Sequence, residues 1–334
     1  MQTILPWHQE NWESLLKRQQ AERLPHALLF SGMAGLGKKQ FAHLFAKSLL
    51  CQAVNAEGMP CNKCRACYLS NAGSHPNFLL IEPDIAGAMI KIERIRQVID
   101  FVNETALMGG YRIIIIHPAS MMNMAAANAL LKTLEEPTPK VLFLLLCDQD
   151  LRLPQTIISR CQRLVFSKPT EDAAFLWLTK DTECQNKNPT IDELRLLLTL
   201  SYGAPLKAKE FLMNDVLFLR KTFYQHLIEL NEKKADPLSL AAFWQERELT
   251  YLLPLLLNWL RDLLSLELTG GRAILLNEDY KTVIHNIIQQ CSRKKLLQYL
   301  TDIQNIYARM QQFFNANKIL LLEEILIRWT KLCS

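Results

Sequence analysis

An apolar run, His26–Ser31 (HALLFS), passes without a linker into Gly32-Met33-Ala34-Gly35-Leu36-Gly37-Lys38. Few folds accommodate a strand that empties into a glycine loop and then a helix, because the loop's backbone N–H groups must converge at a helix N-terminus. Phe41, Leu44, Phe45 and Leu49 supply the buried face of that helix. The same alternation continues downstream: Phe78–Ile81 reads as a strand, Ile92–Asn103 as a helix, and Arg112–Ile116 and Val141–Cys147 as strands. Ile113–Ile116 is too short for a buried helix and β-branched throughout, so it reads as a central parallel strand. Within Met122–Pro137, the residues Ala127, Leu130, Leu131 and Leu134 fall at i, i+3, i+4 and i+7, one face of a helix. Asn123 is placed to cap it and Pro137 to end it. Strands alternating with helices predict an α/β fold built on a doubly wound parallel sheet.

The glycine loop follows the phosphate-binding pattern G-x-x-x-x-G-K-[ST] at Gly32, Gly37 and Lys38, with Gly35 inside it, and departs from it at the last position. Lys39 stands where a hydroxyl would hold Mg²⁺, and an ammonium would repel that ion. A strand, short loop and helix such as 112–137 usually make the second half of a nucleotide site. Such a site needs acids after the strand, to hold the metal and orient water; His117 and Pro118 stand there instead. Phosphoryl transfer depends on metal and positioning, and this chain lacks the parts for both. The loop itself remains an anion-binding shape, able at most to bind nucleotide or phosphate weakly.

Between the first helix and the second strand lie Cys51, Cys61, Cys64 and Cys67, spaced C-x9-C-x2-C-x2-C. Two C-x2-C steps sharing Cys64, with a fourth cysteine in reach, can surround a tetrahedral Zn²⁺ with four thiolates. Lys47, Lys63 and Arg65 would offset part of the negative charge of such a centre. An iron–sulfur cluster is the rival, but the ferredoxin run needs Cys-Pro at a place where this chain has Asn71. Reduced thiols without metal are the plainer alternative. Cys147, Cys161, Cys184, Cys291 and Cys333 are scattered and read as core or surface residues. Interleaved aromatics are missing around the cluster, so the metal reads as structural.

The 334 residues suffice for two or three domains. No apolar run approaches the roughly 20 residues of a membrane span. The opening MQTILPWHQENWE has the features of no secretory signal, so a reducing, cytoplasmic setting is expected, where clustered cysteines suggest metal. A net charge of +5 permits a nucleic-acid or phosphate partner without arguing for one. Trp12–Glu22 reads as a helix, and Lys168–Pro169 as a hinge. Ala173–Thr179, Ile191–Tyr202 and the turn Gly203-Ala204-Pro205 suit a small helical second domain. The helical pattern then continues through Leu217–Leu230, Leu238–Trp244, Leu252–Leu266, Ile284–Gln290, Leu296–Phe314 and Ile319–Leu332, an α-helical bundle without recognisable chemistry. The expected domains are residues 1–167 with the insertion 51–67, then 168–207, then 208–334.

Pro154–Ile158 reads as a short helix that ends in Ser159-Arg160-Cys161 before a strand at Arg163–Phe166. A guanidinium there can point out of the domain edge toward a neighbouring subunit, and its planar fork suits phosphate. A surface arginine in a salt bridge is the alternative.

The stretch AAANALLKTLEEP (125–137) together with Ser-Arg-Cys (159–161) resembles the AAA+ clamp-loader subunits of bacterial DNA polymerase III, over roughly residues 20–210. The resemblance implies an AAA+-type P-loop domain with a zinc module, a small helical lid and an α-helical collar for oligomerisation. It implies gamma/tau and delta subunits as partners, with the sliding beta clamp and primed DNA engaged through the complex. It also implies that Arg160, in its motif with Ser159 and Cys161, serves in trans at a neighbour's nucleotide. The family's ATPases place a second-domain arginine where this chain has Leu206, and a polar sensor near Cys147-Asp148, where Asp148 would repel a γ-phosphate. Together with Lys39, His117 and Pro118, these positions describe a subunit that no longer turns ATP over. An active gamma/tau-like motor, or a zinc-dependent nucleic-acid-binding protein acting alone, are the competing classes. Turnover by the isolated chain would favour the first and DNA binding by it the second.

Overall fold

The structure is a computed structural model and describes residues 3–85, 87–104, 108–148, 153–247, 249–310 and 317–332. It divides into two compact units, Met1–Trp177 with Gly203–Lys207, and Leu178–Tyr202 with Ala208–Ser334.

In the first unit a short turn at Pro6–His8 leads into α1 (Gln9–Gln20), β1 (Ala27–Ser31), α2 (Lys38–Leu50), α3 (Arg65–Asn71), β2 (Phe78–Ile81) and α4 (Ile92–Asn103). It continues with β3 (Arg112–Ile116), α5 (Met124–Glu135), β4 (Val141–Cys147), α6 (Gln155–Ile158), β5 (Gln162–Val165) and the start of α7 (Glu171–Lys180). The five strands form one parallel sheet in the order β2-β3-β4-β1-β5. Every residue of β1, β3 and β4 is buried, as expected of strands covered on both faces. Alternation then sorts their side chains. Leu28, Phe30, Ile113, Ile115, Leu142 and Leu144 pack with Trp12, Phe41 and Phe45 of α1 and α2. Leu29, Ile114, Ile116, Phe143 and Leu145 pack on the other face with Ile95 and Val98 of α4 and Leu130 and Leu134 of α5.

The expected parallel α/β sheet is therefore present, and three of the four strands first read from sequence coincide with the observed bounds. The last strand lies one residue earlier than expected, although Phe166 still donates its N–H to Ser31 O at 2.7 Å. Asn123 caps α5 by accepting from the Ala126 N–H at 2.8 Å.

The second unit is helical: the rest of α7, α8 (Thr182–Asn186), α9 (Ile191–Leu200), most of α10 (Pro205–Met213), α11 (Val216–Asn231), α12 (Pro237–Trp244), α13 (Leu249–Leu268), α14 (Lys281–Ile288), α15 (Arg293–Met310) and α16 (Lys318–Thr330). Trp244, Trp259 and Trp329 are buried in it. Arg220, also buried, is paired to Asp279 and Asn277, while Asp262 accepts from Asn277 and from the Leu276 N–H. Cys291, expected to be a core or surface residue, is disulfide-bonded. Cys333 and the end of the helix expected at Leu296–Phe314 lie outside the described residues. Among the described residues, no helix is long and apolar enough to cross a membrane.

Candidate functional site

β1, β2, β3 and β4 end at Ser31, Ile81, Ile116 and Cys147. The residues that follow, Gly32, Glu82, His117 and Asp148, therefore stand along the carboxyl edge of the sheet, where open α/β sheets place their ligands. The first turn of α2 brings Lys38 and Lys39 to the same edge. Lys38 Nζ donates to Gly32 O at 2.6 Å and Met33 O at 2.8 Å, and pairs with Asp148 Oδ1 at 2.5 Å. Two of the ammonium's three N–H donors are thus bound to loop carbonyls and its charge is matched by the Asp148 carboxylate. Its side chain is 3% exposed and that of Asp148 is 36% exposed. Lys39 turns away to Glu82, 2.6 Å from its Oε1. Among the described residues, the two carboxylates that follow these strand ends are thus each bound to a lysine. His117 contributes a neutral ring: burial lowers its pKa, with partial opposition from Asp148. Pro118 follows it and supplies no polar side chain.

The loop is also covered by its own unit. Gly35 and Gly37 have left-handed φ values of 79° and 93°, which glycine adopts without strain. A Cβ on Gly37 would lie 2.5 Å from Leu5 Cδ1 and 3.0 Å from Leu206 Cδ1, and one on Gly35 would lie 2.5 Å from Lys207 Cβ. Leu206 donates its N–H to Gly35 O at 3.1 Å, and Trp7 Nε1 donates to Leu36 O at 2.9 Å. His8 is buried beside them with no partner for Nε2, edge-on to Phe41 and Phe166, and burial pulls its pKa down to about 4. The polypeptide wraps the phosphate loop with residues 5–8 and 203–207.

At the end of α6 the three motif residues divide their tasks. Ser159 Oγ donates to Thr156 O at 3.2 Å. Cys161 packs against the core, and burial pushes its thiol up to about 12, so it is packing material and not a nucleophile. Arg160 faces outward with a side chain 32% exposed. Its Nη1 donates to Thr156 O at 2.9 Å, its Nη2 is paired with Glu135 at the end of α5, and its Nε is buried without a partner. In the chain by itself, then, the arginine is an outward residue held in a salt bridge.

The four clustered cysteines come together. Their sulfur atoms all lie within 4.8 Å of one another, with Cys51–Cys64 at 3.9 Å and Cys61–Cys67 at 4.0 Å. A tetrahedron with metal–sulfur bonds of about 2.3 Å has edges of about 3.8 Å, so the sulfurs are close to the size a four-thiolate metal centre needs. Backbone N–H groups point at three of them: Ala53 and Cys61 at Cys51 Sγ, Lys63 and Cys64 at Cys61 Sγ, and Cys67 at Cys64 Sγ, all between 3.3 and 3.4 Å. Such donors stabilise thiolates: at Cys64, the N-cap of α3, they and the neighbouring thiols outweigh burial and bring the pKa to about 6, whereas at Cys51 and Cys67 burial prevails and pushes the thiols up. Lys47 donates to Asn62 and Asn71, and Trp12 Nε1 donates to Glu57 O at 3.1 Å, tying the insertion to α2 and α1. The donor set can hold a metal ion.

Three partners were not read from sequence: Asp148 as the counter-ion of Lys38, Glu82 of Lys39 and Glu135 of Arg160. For Glu135 a signal existed. Glu135-Glu136 closes a helix, where the macrodipole disfavours acids, so a nearby cation was to be expected.

The chain matches the family described as DNA polymerase III, delta subunit, over residues 7–170, and that family's C-terminal domain over residues 214–331. It is 33% identical over 332 residues to the DNA polymerase III subunit delta' of Pseudomonas aeruginosa, covering 99% of both chains. It is 30% identical over 325 residues to the subunit delta' of Escherichia coli K12, covering 97% of this chain and 94% of that one. The DNA polymerase III subunit tau of Bacillus subtilis is 32% identical over 197 residues, 59% of this chain and 34% of tau.

Proposed function

The chain belongs to the delta' subunit family of bacterial DNA polymerase III, and from that premise we propose that it is a rigid, non-hydrolysing member of a clamp-loader ring. It assembles with gamma/tau and delta subunits in the cytoplasm and helps place the sliding beta clamp on primed DNA. One observation carries the reading: the phosphate-loop lysine is engaged within the chain, hydrogen-bonded to two loop carbonyls and ion-paired with Asp148. A γ-phosphate arriving there would have to displace a carboxylate. Among the described residues at that edge it would find no acid free to hold Mg²⁺, since Glu82 is paired with Lys39 and His117-Pro118 follow β3. The loop serves the fold, as a seat for residues 5–8 and 203–207.

The functional division we propose is a P-loop part (1–167), a lid (168–207) and a collar (208–334). The metal in the cysteine centre is zinc, because four thiolates without an open position suit a structural Zn²⁺. Zinc there supplies local folding energy and no chemistry of turnover.

Arg160, presented outward beside the end of α6, acts in trans on the γ-phosphate held by an adjacent gamma/tau subunit. An arginine supplied in this way is typically worth about 10³–10⁵ in rate at its site. The test is a loader reconstituted with Arg160→Ala. Total ATPase is expected to fall in part, because the other sites keep their own arginines, while clamp loading falls further and a native gel shows an intact complex. Arg160→Lys should restore little, since an ammonium lacks the fork. The chain alone is expected to release no phosphate from ATP. Steady turnover by it that Lys38→Ala abolishes would instead identify a gamma/tau-like motor.

A further inference from the structure

The guanidinium of Arg160 is held from two different elements, by Glu135 at the last residue of α5 and by the Thr156 carbonyl in α6. Neither is an incidental neighbour. A carboxylate at the end of a helix faces the negative pole of its dipole, and Glu136 follows directly, so Glu135 is an acid set where its own helix repels it. The cation that relieves it is Arg160. The orientation of α5 is fixed independently, by the Asn123 cap at one end and by Leu130 and Leu134 in the core. The backbone from which Glu135 reaches Arg160 is therefore held in place. The guanidinium has five N–H donors. Thr156, Ser159 and Glu135 account for three of them, through Nη1 and Nη2, and a further Nη2 hydrogen is left over for an anion outside the chain.

We propose that Glu135 is the positioning residue for Arg160: it holds the guanidinium in the orientation in which its remaining Nη2 hydrogen meets the neighbouring subunit's triphosphate. The proposal rests on the reading above that Arg160 works in trans. Its physical content is preorganisation. An arginine side chain free to explore its rotamers must be ordered during the reaction, whereas one held at two points has been ordered by folding. The carboxylate's cost to the arginine's net charge is the smaller effect at this half-exposed pair, where solvent already screens the Coulomb term.

The experiment uses the assembled loader, built so that only the gamma/tau subunit contacting this chain keeps a working nucleotide site. Five forms of the chain are compared: native, Glu135→Ala, Glu135→Gln, Arg160→Ala and the double variant. Native gels and melting curves check assembly and fold. Glu135→Ala is expected to lower kcat of that one site about tenfold, less than Arg160→Ala does, with the KM for ATP changed less than twofold. Glu135→Gln, which keeps an acceptor oxygen, should recover most of the rate. The double variant should match Arg160→Ala alone, because an anchor has nothing to hold once the arginine is gone; a merely structural role would add a second loss. If Arg160→Ala slows the site and Glu135→Ala leaves it unchanged or faster, the positioning role is wrong and the trans arginine stands. If Arg160→Ala itself has no effect in an intact complex, both fail together.

Discussion

Removing one member of the Lys38–Asp148 pair should hurt the fold far more from one side than from the other. The lysine side chain is 3% exposed and the aspartate 36% exposed. Asp148→Ala strands an ammonium in the interior with two carbonyl acceptors and no counter-charge. Breaking a buried pair in this way costs about 3–5 kcal/mol; partial solvent screening at the aspartate brings the expected loss here to about 2–3 kcal/mol. Lys38→Met fills similar volume with an apolar chain and leaves a carboxylate that water reaches, so its cost should stay below about 1 kcal/mol. Because the two changes share one interaction, they should not add: the double variant should lie within about 1 kcal/mol of the native protein. The assay is urea unfolding read by hydrogen exchange of the β1 and β4 amides, which reports the first unit alone. A Lys38→Met variant as unstable as Asp148→Ala, or full additivity, would refute the claim that Asp148 is the buried lysine's counter-ion. The same Lys38→Met chain should leave the reconstituted loader's ATPase nearly unchanged.

Metal and pH provide further checks. Protein purified without added metal should carry about one zinc per chain by elemental analysis. Cys61→Ser should lose it and loosen residues 51–67, while β1, β3 and β4 keep their exchange protection; less than about a third of a zinc per chain, or an iron chromophore, would contradict the assignment. His8 is neutral and buried, with a folded pKa of about 4 against 6.5 when unfolded. The unfolded chain therefore binds the proton first as pH falls: His8's contribution is complete above pH 6.5 and is lost on going down toward 4. The His8 part of the loss should reach about 2 kcal/mol by pH 5. His43, His75 and His117 are shifted in the same direction, so the measurement is the difference between native protein and His8→Phe in the pH 5–7 slope of first-unit stability. Equal slopes would show that His8 is not held neutral.

Much of this protein is legible in its amino acids alone. β-branched and leucine runs with no polar interruption can be buried on both faces only in a covered parallel sheet, and β2, β3 and β4 occupy the bounds their apolar runs suggested. The Asn123 cap, the cysteine spacing and the missing acids after β3 are likewise local, each set by residues a few positions apart. The partners of Lys38, Lys39 and Arg160 are another matter. Lys38 meets Asp148 because β4 lies beside β1, and Lys39 reaches Glu82 across the same carboxyl edge. Arg160 meets Glu135 because α6 runs past the end of α5. The wrapping of the loop by Leu5, Leu206 and Lys207 joins segments from opposite ends of the first unit's sequence. Strand order and helix crossing create these neighbours, and neither periodicity nor spacing carries that information: a side-chain period states which face of a strand is buried, not which strand stands next to it.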